Sequence, residues 1–165
     1  MKMPSNIADR IQDKLQIMVC GPDELSPSHF TYGGVLPEKE AREDWQNTVE
    51  VIYRLLKSGL LLLWPKDAIQ SDKDLLEFVQ ALAQKDPFNN IADELQGKWI
   101  VPWLGPLLYT SPLCKTLLQK YSLDNYDAPV CAAFIEEVES IFEAAGVSWS
   151  NKPLIPISSE PSTSY

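Results

Sequence analysis

The stretch Pro37 to Trp64, PEKEAREDWQNTVEVIYRLLKSGLLLLW, constrains the fold more than any other. Its first part repeats Ala41, Trp45, Val49, Ile52 and Leu56 every three or four residues, the period of an amphipathic helix. The far side carries Glu43, Asn47, Glu50, Arg54 and Lys57, with Glu50 four residues ahead of Arg54 in the favourable order for a helical pair. Pro37 suits the first turn, and Glu38 and Glu40 suit the positive end of the helix dipole. Ser58-Gly59 is a stop signal, because glycine accepts the left-handed conformation that ends helices. Beyond it Leu60 to Trp64 is continuously apolar and closed by Pro65, so it is either a short buried strand or an apolar connector. Burial of Trp45, Val49, Ile52 and Leu56 contributes about 2 kcal/mol each, enough to anchor a core.

Around this stretch the periodicity predicts further helices. Ser5 or Asn6 can cap a helix to about Val19 with Ile7, Ile11, Leu15 and Met18 on one face. Ser71 and Asp72 open another, with Leu75, Phe78 (or Val79) and Leu82 as its stripe and Asp86-Pro87 as its end. A short helix is expected over Asn89 to Gln96, with Ile91 and Leu95 inward. Ser111-Pro112 starts one to about Tyr121, burying Leu113, Leu117 and Leu118. Asp127 caps the last, about Ala128 to Ala145, in which Phe134, Val138, Ile141 and Ala145 oppose Glu136, Glu139 and Glu143. The expected architecture is mainly α: one domain over residues 1–157, a bundle of five or six helices. Two or three short strands are drawn from 30–35, 60–64 and 99–104. Leu154 to Ile157 packs back, and residues 158–165, rich in serine with Pro161, form a disordered tail.

The segment Lys98 to Pro112, KWIVPWLGPLLYTSP, is the most irregular. Pro102 and Pro106 exclude a regular helix or a central strand. It reads as an extended apolar segment that crosses or covers the core. The alternative is an exposed aromatic surface for a partner, formed by Trp99, Trp103 and Tyr109.

A chain of 165 residues with 45% apolar content is long enough for its own core. Its 23 acidic and 14 basic residues give a net charge of −9, which opposes binding to nucleic acid or anionic lipid and suits a cationic partner. Lysines and arginines are scattered, without the basic stripe a nucleic-acid groove needs. The first residues lack the apolar core of a signal peptide, and Leu60 to Trp64 is far too short to span a bilayer, so a cytoplasmic protein is expected.

Catalytic patterns are sparse. The three cysteines, Cys20, Cys114 and Cys131, have no paired spacing, and His29 is the only histidine, too few for a typical zinc set. Free thiols fit best, with Cys131 on an apolar helix face. There is no GxSxG elbow, phosphate loop, dinucleotide fingerprint or calcium-loop spacing. Carboxylates on a solvated ridge do not make the facing pair of a glycosidase. No enzyme activity, metal or cofactor is expected.

The phrase Trp45-x-x-Thr48 followed by Ile52-Tyr53-Arg54-Leu55-Leu56-Lys57-Ser58-Gly59-Leu60-Leu61, in a small acidic α-rich chain, resembles bacterial immunity proteins. These neutralise polymorphic toxins, including those of contact-dependent growth inhibition. The resemblance implies a stoichiometric inhibitor that occludes a cognate protein toxin, often a nuclease with a basic cleft. No binding residue carries over from it. The expected contact face is Glu136, Glu139 and Glu143 with the preceding acidic turn Asp124 and Asp127. The rival expectation is an adaptor or chaperone that holds an apolar client on the Trp99–Tyr109 segment.

Overall fold

A computed structural model describes residues 2–89, 91, 94–95, 97–126 and 128–159. Among them are five α-helices, α1 (Ser5–Cys20), α2 (Glu38–Lys57), α3 (Asp72–Gln84), α4 (Pro112–Lys120) and α5 (Ala132–Ala144). Three short strands, β1 (Glu24–Leu25), β2 (Leu61–Trp64) and β3 (Leu107–Thr110), form one antiparallel sheet in the order β1-β3-β2. The protein is mainly α, as expected. No helix among the described residues is long and apolar enough to cross a membrane.

The helices bury most of the stripes their periodicity announces, with Ala41, Leu56, Ile141 and Ala145 half-buried. In α1, Ile7, Ile11, Leu15 and Met18 are buried, and in α3 Leu75, Phe78, Val79 and Leu82 are. Ser71 caps α3 by accepting from the Asp74 N–H at 3.2 Å, and Ser111 caps α4 by accepting from Cys114 at 3.2 Å. In α4 the inward stripe is Cys114, Leu117 and Leu118, whereas Leu113, expected inside, is 51% exposed. The two ends marked by glycine close similarly. Leu60 N–H returns to Leu55 O and Val147 N–H to Phe142 O, across Gly59 and Gly146 at φ +76° and +74°. Ser5 and Asn6 do not cap α1, since the helix begins at Ser5 behind Pro4. Pro37 likewise stands just before α2, outside its first turn.

Four expectations are corrected. The strand expected at 30–35 is absent: Pro27–Phe30 is a 3-10 turn that drops Phe30 into the core, and the strand lies earlier, at Glu24–Leu25. The strand expected at 99–104 is replaced by turns, with Leu104 and Gly105 N–H both returning to Val101 O. The true strand follows Pro106 and is the central one, because neither proline occupies a ladder position. The helix expected over Asn89 to Gln96 does not form at Ile91, Glu94 or Leu95, and Leu95 N–H instead bonds Ile100 O at 2.7 Å. Finally, α5 begins at Ala132 rather than Ala128 because α1 holds the preceding residues extended: Gln12 donates to Pro129 O and accepts from Cys131 N–H.

The expected helical pair on the far side of α2 forms, and it is enclosed. Glu50 and Arg54 are buried, with 3% and 0% exposure. Residues 147–158, which follow α5, lie across them. Arg54 pairs with Glu50 at 2.5 Å, donates to Ser148 O and stacks its guanidinium 4.6 Å from the Trp149 ring centre. A second buried pair joins α1 to α2: Arg10 and Asp44 meet at 2.7 Å with Tyr32 stacked on the guanidinium at 4.1 Å. Helix α2 is therefore covered at Glu50 and Arg54 on its polar side as well as on its apolar side, while Glu43 stays exposed.

Candidate functional site

The acidic ridge follows from the pitch of α5. Phe134, Ile135, Val138 and Phe142 turn inward and are buried, which leaves Glu136 and Glu143 exposed on the opposite side. Glu139, between them, is half-buried and accepts the backbone N–H of Met3. With Lys2, Ser140, Ser148 and Trp149 the three carboxylates line an open groove of about 430 Å³. Glu137 belongs elsewhere: it turns to α4, accepting from Lys120 at 2.8 Å and from Tyr121. Those two hydrogen bonds hold its carboxyl below the ordinary value.

The structure thus brings Glu136, Glu139 and Glu143 together. Asp124 is exposed on the turn after α4 and does not line their groove, and Asp127 lies outside the described residues. Such a groove can take a cationic side chain, which would displace or bypass Lys2.

The aromatic segment is not one surface. Trp103 is completely buried, with its indole N–H donating to Lys85 O at 2.6 Å, so its place in an exposed partner surface is overturned. The reason is energetic: a side chain of this size contributes more in the core than in water. Trp99 is half-buried, its ring 4.7 Å from that of Phe78 and capped by Lys98. Tyr109, also half-buried, stands on a different face, the outer side of the sheet.

That outer face is what sequence reasoning missed. The register pairs Leu62 with Tyr109 and Trp64 with Leu107, so these four residues share the side away from Leu25, Leu63 and Leu108. Leu62 is 37% and Trp64 51% exposed. A run of uniformly apolar residues carries no alternation, so nothing in LLLLW told inward from outward.

His29 is engaged locally, its Nδ1 2.8 Å from Ser26 Oγ three residues earlier. The thiols are free; Cys114 is buried, and burial pushes its pKa up to about 12, while Cys20 and Cys131 are half-buried. A thiol reagent applied to the native protein at pH 8 is accordingly expected to modify Cys20 and Cys131 and to reach Cys114 only after urea is added. Equal labelling of all three before unfolding would contradict this placement.

No protein-family model, curated protein or solved structure matches the chain.

Proposed function

We propose that this protein is a stoichiometric inhibitor of the immunity type, which binds a basic cognate toxin and covers its working surface. The observation that carries this reading is the groove beside α5, where Glu136, Glu139 and Glu143 stand together on a chain of net charge −9. Carboxylates on a rigid helix attract a basic cleft from a distance and match it on contact. A cytoplasmic site of action, where such a toxin would arrive, belongs to the same proposal.

The test is co-expression with the toxin encoded beside its gene. The intact chain should restore growth, and the purified complex should weaken steeply with added salt. The triple variant Glu136→Lys, Glu139→Lys, Glu143→Lys should lose protection while its unfolding free energy changes by only about 1 kcal/mol, as for surface substitutions. A folded triple variant that protects as well as the native chain overturns the proposal.

The outer sheet face favours a second reading, an adaptor that holds an apolar client segment. Its marker is the half-exposed Trp64 beside Leu62 and Tyr109. Binding of that kind would persist in high salt and disappear in Trp64→Ala.

A further inference from the structure

The stretch after α5 meets α2 in the way a receptor meets a peptide. Residues 153–157 bend at Leu154 and Ile155, with Ile155 buried (6% exposed) and its neighbours Leu154 and Pro156 outward. Glu50 accepts two consecutive backbone donors, Leu154 N–H on Oε2 at 3.2 Å and Ile155 N–H on Oε1 at 2.8 Å. One turn away on α2, the Gln46 carboxamide bonds the same main chain in both directions. It donates to Ile155 O at 2.9 Å and accepts from Ile157 N–H at 3.1 Å. Arg42 donates to Ser158 O at 2.7 Å, and Ser158 N–H reaches Ala83 O on α3 at 2.9 Å.

These contacts go to main-chain atoms, which any peptide possesses; selectivity comes from buried Ile155, with Ile157 half-buried two residues on. One receiving group, Glu50, also has a partner outside the segment. Glu50 is fixed by Arg54, which is anchored in turn by Glu50 O and stacked on Trp149. Pro156 stands where no N–H is required, between the two residues bonded to Gln46. Before the segment, Asn151 and Lys152 are exposed.

We propose that the seam of α2 and α3 is a peptide-binding site, filled in cis by residues 153–158. Its ligand is a short segment that bends at an apolar anchor in the Ile155 position, with free N–H groups at that residue and the one before it. The site is separate from the α5 groove, so neither proposal depends on the other.

The experiment keeps the full chain. A recognition sequence for a specific protease is inserted between Asn151 and Lys152, the folded protein is cut, and the excised segment is challenged with a fluorescent peptide of residues 153–159, PLIPISS. The peptide should displace the cut segment and bind saturably while the helical circular dichroism of the body is unchanged. N-methylation of the peptide at Ile155, which removes a donor to Glu50, should abolish binding. Gln46→Ala in the body, which removes two hydrogen bonds, should weaken it at least about tenfold. Collapse of the helical signal once the segment leaves would show it to be part of the core and overturn the proposal. So would peptide binding indifferent to both changes, or a cut segment that never exchanges.

Discussion

Asp44→Ala is expected to destabilise the protein by about 3–5 kcal/mol, a large part of the about 5–15 kcal/mol available to a typical domain. The cause is the partner left behind. Arg10 is 1% exposed and Asp44 5%, so deletion of the carboxylate strands a guanidinium where water cannot replace it. Arg10 would keep its bonds to Thr48 Oγ1 and to the carbonyl at position 44, but not its countercharge. The backbone N–H of Tyr32, which donates to Asp44 Oδ2 at 3.0 Å, would lose its acceptor as well. Urea unfolding of the single variant, set beside the double variant Arg10→Met, Asp44→Leu, separates this cause from simple loss of contacts. The double variant should be the more stable of the two, since an apolar pair carries no unpaired charge. A single variant that loses less than about 1 kcal/mol, the range of an exposed pair, would mean that the site is open to solvent.

Trp103→Ala should cost about as much, roughly 3–5 kcal/mol, through a different mechanism. The indole is among the largest completely buried side chains, and its removal leaves a cavity and deletes the bond to Lys85 O. The consequence for function is practical. Weakened binding by such a variant would look like a lost contact while reflecting a destabilised fold. Trp64→Ala is the proper comparison: half-exposed on the sheet, it should change stability by about 0.5 kcal/mol, as other surface substitutions do. Thermal unfolding of both distinguishes them. Equal effects would refute the assignment of one tryptophan to the interior and the other to the sheet's open side.

Much of the helical framework was legible because apolar side chains at helical spacing report the inward face directly. Ile11, Leu15, Phe78, Leu82, Phe134 and Val138 are buried as their spacing requires. Periodicity failed where long-range contacts decided the outcome. Gln12 on α1 claims Pro129 O and Cys131 N–H, delaying α5, and no local pattern near Asp127 carries that information. The burial of Glu50 and Arg54 was not legible, because polarity describes what a side chain tolerates, not what is laid on it. The chain that covers them lies about a hundred residues further on. The acidic groove was half legible: the ridge of α5 is periodic, but the contribution of Lys2 and Trp149 to its walls is purely tertiary.

The order of strands in the sheet bears on how the protein is made. β3, at residues 107–110, sits between β1 and β2, which both precede it in the chain. While a ribosome works through the intervening residues, on the order of seconds at ordinary elongation rates, Leu25, Leu61 and Leu63 have no ladder to join. Nascent chains stalled just before residue 107 should therefore be the ones that chaperones capture, and those released beyond it should not.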